Sequence, residues 1–202
     1  MPLALYNAPG SGNALKVRFM LAELALDYET IDVPMARPRP EWYLRVNPVG
    51  GVPTFVDGDL VLAESNAILR YLAAREQRVD LYPTDLAARA RVDWLLDVWS
   101  TLVRPATFPL EQASGLNGER DEAAVEASRP AVEAAFDAVE QLLAENGTMT
   151  GAFTLADICA APTLFRSANL PLPLDFSRWP RLQLVRATVT ARPAFIAAGP
   201  VR

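Results

Sequence analysis

Apolar and polar positions change their period once along this 202-residue chain. Leu3 to Tyr6 is a short apolar run closed by Asn7 and the Pro9-Gly10 turn, which predicts a strand. Beyond Ser11, Val17, Met20, Leu21 and Leu24 recur at helical spacing, with Lys16, Arg18 and Glu23 off that face, so a helix with one buried stripe is expected. Tyr28 to Val33 predicts a second strand and completes a β-α-β unit. Pro34, Pro38 and Pro40 make the next segment irregular, with a short helix over Glu41 to Val46. Pro53 to Val56 and Leu60 to Ala63 then flank Asp57-Gly58, the signature of a hairpin. Ala67, Ile68, Tyr71 and Leu72 follow as a helical pattern, with Ser65 as its expected N-cap.

The segment from Arg75 to Asp85 is polar and broken by Pro83, and a domain boundary is expected there. The limits read from the sequence are a first domain over 1–76, a linker over 77–84 and a second domain over 85–202. In the second domain every period is helical. Val92, Leu95, Leu96, Trp99, Leu102 and Val103 form one stripe, and Val132, Ala135, Phe136, Val139, Leu142 and Leu143 another, within a bundle of about five helices. Pro105 and Pro109 are expected to end or kink the first of these helices, and Pro130 to break or kink the second. Thr154 and Asp157 have the spacing of a capping box at the start of a further helix, in which each side chain satisfies an orphan N–H of the other. Cys159, two residues on, reads as a small buried hydrophobe.

Composition narrows the chemistry. The chain is 51% hydrophobic and 21% charged, with a net charge of −5, and no basic run marks a nucleic-acid partner. No apolar stretch reaches the roughly 18 residues a membrane helix needs, and the N-terminus lacks a basic segment followed by an apolar core. A cytoplasmic protein with no membrane partner is therefore expected. With no histidine and a single cysteine, imidazole catalysis, an internal disulfide, a C-x-x-C redox pair and a thiolate metal site are all excluded. An enzyme built from these residues must borrow much of its chemistry from a cofactor or cosubstrate.

Three places offer binding chemistry. A cis Val52–Pro53 bond at the start of a strand would turn the N–H and C=O of Val52 outward, where an extended peptide pairs with them. Glu64-Ser65 precedes a helix whose free N–H groups attract a carboxylate. Ser11 brings a hydroxyl to the start of the first helix, where an anion gains from the hydroxyl, the free amides and the helix dipole together. A ligand thiol held there ionises more readily, and each pKa unit of depression needs about 1.4 kcal/mol.

The motifs N-P-x-x-x-V-P-T-F (Asn47 to Phe55) and E-S-N-A-I-x-x-Y-L (Glu64 to Leu72), with T-x-A-D-I from Thr154, resemble the glutathione transferase superfamily along the whole chain. The resemblance implies an α/β thioredoxin-like N-terminal domain followed by an all-α helical C-terminal domain. It implies glutathione as cosubstrate, its cysteinyl backbone on Val52 and Pro53 and its γ-glutamyl end on Glu64 and Ser65. Leu5-Tyr6 through Pro9-Gly10-Ser11-Gly12-Asn13 is similar to the serine-dependent, bacterial-type branch, in which the residue matching Ser11 donates a hydrogen bond to the glutathione sulfur. The resemblance also implies Asn13 as a second donor and offers Tyr6 as the rival donor, since other branches use a tyrosine near this point. The spacing of Tyr6 from Pro9 fits better the serine branch, where the tyrosine serves packing. The family's cysteine at this helix start is missing, which excludes a cysteine-type thiol transfer. Where relatives carry a basic or amide residue before Val-Pro this chain has Gly51, so Arg39 or Arg37 is the candidate for the glycine carboxylate of glutathione.

The implied activity is conjugation of glutathione to small hydrophobic electrophiles, with Trp99, Val103 and Phe108 as candidate pocket residues. A homodimer is implied too, the first domain of one chain packed on the second of its partner. Glutathione-dependent reduction of disulfides or peroxides, and a binding or regulatory module without catalysis, remain the alternatives.

Overall fold

In the computed structural model, which describes residues 2–116, 118–170 and 174–200, β1 (Leu3–Asn7) runs through a four-stranded sheet of order β2-β1-β3-β4. β2 (Tyr28–Asp32) pairs with it in parallel, β3 (Thr54–Asp57) antiparallel, and β4 (Leu60–Ala63) antiparallel to β3. The register sets Leu5 opposite Thr30 on one side and Phe55 on the other. Leu3, Leu5 and Phe55 are buried. Three helices belong to this part of the chain: α1 (Gly12–Glu23), the short α2 (Glu41–Val46) and α3 (Ser65–Arg75). The expected strands match to within a residue, because a period of two bounded by turn residues leaves little freedom in register.

The first helix differs from expectation. Lys16 and Arg18, read as lying off the buried stripe, are only 4% and 8% exposed. α1 is buried along most of its length, packed against α3 and, from the other end of the chain, against α9 (Pro193–Ala197). Phe195 stacks edge-on against Phe19 with ring centres 5.3 Å apart. The chain accordingly divides into one unit formed by Met1–Gln77 with Pro193–Val201 and a second formed by Arg78–Arg192.

The second unit carries five α-helices among its described residues: α4 (Leu86–Val98), α5 (Arg104–Ala113), α6 (Glu122–Glu140), α7 (Leu155–Asn169) and α8 (Pro180–Thr190). α4 does not end before the prolines. It widens into a π-helical turn over Trp99–Val103, closed by the amide of Arg104 on the carbonyl of Trp99, and continues as α5 with Pro105 in its first turn. A proline ring needs room against the carbonyl four residues back, and a widened turn supplies it. The extra residue per turn also shifts the phase: Trp99 and Val103 stay buried, whereas Leu102 is 42% exposed. α6 runs through Pro130 as one helix. At the start of α7 the buried Asp157 carboxylate accepts the amides of Thr154 at 2.8 Å and Met149 at 2.9 Å, the capping box read from the sequence. Cys159 is a free, buried thiol.

Candidate functional site

Ser11 sits where a turn hands over to α1. Its amide donates to the Ala8 carbonyl at 2.9 Å, its carbonyl accepts from Leu15 at 2.9 Å, and its hydroxyl accepts from the Ala14 amide at 3.2 Å. It is the N-cap of α1, with β-region backbone angles. Since the hydroxyl serves this cap as an acceptor, its own proton is available to a second partner. Asn13, in the first turn, is exposed. Tyr6 packs in a ring cluster with Trp42 and Tyr43, centres 6.3 and 5.7 Å away.

The loop before β3 is held from beneath by three buried polar side chains. The amide nitrogen of Asn47 donates to the Gly51 carbonyl and to the Thr54 hydroxyl, both at 3.0 Å, and its oxygen accepts from Val49 N–H at 3.1 Å. Tyr43 adds a hydroxyl bond to the same Gly51 carbonyl and meets the Thr54 hydroxyl at 2.8 Å. Gly50 turns the loop with φ of 68°, and a Cβ there would lie 3.2 Å from atoms of both Arg39 and Leu44, so this position requires glycine. The Val52–Pro53 bond is cis, as expected, and the Arg37–Pro38 bond is cis as well.

Arg39 is engaged in this scaffold. It is 7% exposed, with Nε donating to the Gly50 carbonyl at 3.0 Å and Nη1 to the Pro34 carbonyl at 2.5 Å. Its guanidinium ties the proline-rich segment to the loop.

On the other side, Glu64 joins β4 to α3 with φ of 67° and ψ of 110°. Such angles are rare for any residue with a Cβ. Glu64 occupies the N-cap position, without a side-chain cap bond, and the expected cap Ser65 is the first helical residue, 7% exposed. No acidic residue lies in the first turn of α1, so the positive end of its dipole has no carboxylate of its own helix there, whereas α3 has Glu64 at its N-cap.

These segments meet at a cleft of about 100 Å³. Val52 and Pro53 form one wall with Val49, Gly51 and Asn47; Ala63, Glu64 and Ser65 form another, and Asn13 reaches in from α1. Of the expected site residues, the cleft therefore gathers Val52, Pro53, Glu64, Ser65 and Asn13. Ser11 and Arg39 are not among its lining residues. Glu64 is the one formal charge of the lining. Asn47 was legible as part of a motif but not as the brace of the loop, since that role depends on hydrogen bonds to Gly51 and Thr54. In the second unit, Trp99 and Val103 are core residues, the Trp99 indole N–H donating to Thr163 at 3.4 Å. Phe108 is 45% exposed, with the Arg104 guanidinium 4.5 Å from its ring centre. Among the described residues no group of three or more His, Cys, Asp and Glu is arranged to hold a metal, and no helix is long and apolar enough to cross a membrane.

Comparison with known proteins adds an independent line. Residues 1–74 match the model of the glutathione S-transferase N-terminal domain, and residues 122–187 that of the C-terminal domain. Glutathione S-transferase 3 of Zea mays is 36% identical, over 96% of this chain and 91% of the relative. Maleylacetoacetate isomerase of Pseudomonas aeruginosa is 33% identical, over 98% and 96%. Among solved structures, the theta class glutathione S-transferase of Xanthomonas axonopodis pv. citri, with glutathione bound, superposes with a TM-score of 0.90 at 29% identity, covering 100% of this chain and 99% of the other.

Proposed function

The chain belongs to the glutathione S-transferase family and is a glutathione transferase with glutathione as its cosubstrate; from that premise we propose that it joins the glutathione sulfur to small hydrophobic electrophiles, with Ser11 as the thiolate's donor. The observation that carries this reading is the convergence on one cleft of Val52-Pro53, Glu64-Ser65 and Asn13, which come from three separate segments. In this reading Val52 offers its backbone groups to the cysteinyl unit of the peptide. The α3 amides and Ser65 hold the γ-glutamyl carboxylate, and Glu64 holds the neighbouring ammonium. The Ser11 hydroxyl, already fixed as the helix cap, donates to the sulfur as its proton leaves to water, and the α1 dipole favours the charge that remains. Asn13 is the second donor. The electron pair on sulfur forms the new bond to carbon, and the leaving group departs or the carbon framework takes up a proton. Arg39 donates to backbone carbonyls and both N–H groups of the Asn47 amide brace the loop, so the glycine carboxylate lies at the open edge of the cleft. As in the family resemblance, the working form is a homodimer.

Ser11→Ala tests the central assignment. Loss of a comparable donor costs on the order of 10²-fold in rate, so turnover with a generic aryl halide at neutral pH should fall by about that factor while circular dichroism is unchanged. Unaltered turnover would pass the role to Asn13 or Tyr6. The 33% identity to a maleylacetoacetate isomerase supports a second reading, isomerisation in which glutathione is not consumed. Measuring glutathione loss alongside product separates the two.

A further inference from the structure

Arg18 is 8% exposed on a helix where the sequence pattern makes it a surface residue. Its guanidinium reaches three separate stretches of chain. Nη1 donates to the side-chain oxygen of Asn7, at the end of β1, at 2.6 Å; Nε donates to the Ala198 carbonyl at 2.9 Å; Nη2 lies 3.4 Å from the Pro9 carbonyl and 3.5 Å from that of Gly199. Asn7 passes the connection on, its amide donating to Asp32 on β2 at 2.8 Å. Pro9 and Gly10 are the two central residues of the turn closed by the Ser11 amide on the Ala8 carbonyl. The peptide between them is free to flip in an isolated turn, because the two common turn types differ mainly in its orientation. A donor on the Pro9 carbonyl selects one orientation, and with it the direction from which Ser11 enters α1.

We propose that Arg18 is the positioning residue for the Ser11 hydroxyl, and that the chain's C-terminal segment, through the carbonyls of Ala198 and Gly199, is the anchor that keeps Arg18 in place. This rests on the reading of Ser11 as the thiolate's donor. Seven residues separate the two along the helix, about 10 Å at 1.5 Å per residue, so Arg18 acts through the turn. A guanidinium suits the task because its planar fork offers several donors in fixed directions, which neither a lysine nor an amide reproduces. The consequence is that residues far from the cleft in sequence set the ionisation of the bound thiol.

The test is the pKa of the glutathione thiol bound to the protein, followed by thiolate absorbance in the ultraviolet for the wild type, Arg18→Gln, Ser11→Ala and the chain ending at Ala197. The proposal expects Arg18→Gln to raise that pKa by about one unit, a loss of thiolate that approaches tenfold at pH values below the wild-type pKa. It also expects kcat to fall by up to about tenfold at pH 6.5 and to recover at high pH, with KM for glutathione changed less than about twofold. The shortened chain, which keeps Arg18 but removes two of its acceptors, should shift the same way by a smaller amount; it carries the test if Arg18→Gln does not fold. A merely structural role would lower stability without moving the thiol pKa. If Ser11→Ala raises the pKa and neither other variant does, the Arg18 proposal is overturned and the serine assignment stands. If Ser11→Ala leaves it unchanged, both fall together.

Discussion

Glu64 holds a charged side chain at φ of 67° and ψ of 110°, a conflict between residue and conformation at the edge of the cleft. Backbone held this way costs on the order of 1–3 kcal/mol, and such outliers concentrate where ligands are gripped. Glycine adopts such angles with no Cβ clash, at some cost in chain entropy. Glu64→Gly should therefore be more stable than Glu64→Ala by about 1 kcal/mol in urea unfolding, while both bind glutathione weakly. A glycine variant no more stable than the alanine one would mean that the angles store no strain. Val52-Pro53 and Glu64-Ser65 were legible as motifs because their chemistry lies in consecutive residues. The strain at Glu64 was not, since nothing local favours a left-handed backbone there. The burial of Arg39 and Arg18 was not legible for a related reason. A guanidinium reads as surface until the carbonyls that bury it are known, and those of Gly50, Pro34, Ala198 and Gly199 come from other segments.

Elements were more legible than their joints. The four strands, α2 and the α7 cap follow from periods and turn residues a few positions apart. The join of α4 to α5 does not: a 3.6-residue period carries no sign that the turn widens at Trp99–Val103, and Leu102 leaves the buried stripe as a result. The α7 cap yields a prediction with a definite sign. Burial of Asp157 pushes its carboxyl up to about 6 from 3.8, against hydrogen bonds from Thr154 and Met149 that pull it down. The folded protein then keeps a proton that the unfolded chain has lost between these values. The contribution of this group is complete below about pH 4 and is lost as pH rises through about 6. Asp157→Asn lacks that titration. The margin by which the wild type exceeds Asp157→Asn in unfolding free energy should shrink between pH 4.5 and 7.5, by up to about 2 kcal/mol. Denaturant titrations at the two pH values check it, and a margin that grows with pH would contradict the assigned direction.

At the scale of the molecule, the order of motifs along the chain was enough to read a four-stranded α/β unit followed by helices. The return of Pro193–Val201 to the first unit was beyond it, because Phe195 and Ala198 look like any helical residues until Phe19 and Arg18 are seen beside them. A homodimer is the proposed assembly, for which light scattering at micromolar concentration should give twice the 22.0 kDa chain mass; a monomer would refute it. In the proposed function the cleft between Val52-Pro53 and Glu64-Ser65 binds glutathione by its γ-glutamyl end, which calorimetric titration of wild type and Glu64→Ala with glutathione measures. Removing one partner of a charge-assisted pair in a partly open site costs less than the 2 to 5 kcal/mol typical of a buried one. Glu64→Ala should therefore bind at least tenfold more weakly, about 1.4 kcal/mol, with an unchanged melting temperature. Equal affinities, or no binding by the wild type at millimolar glutathione, would contradict it.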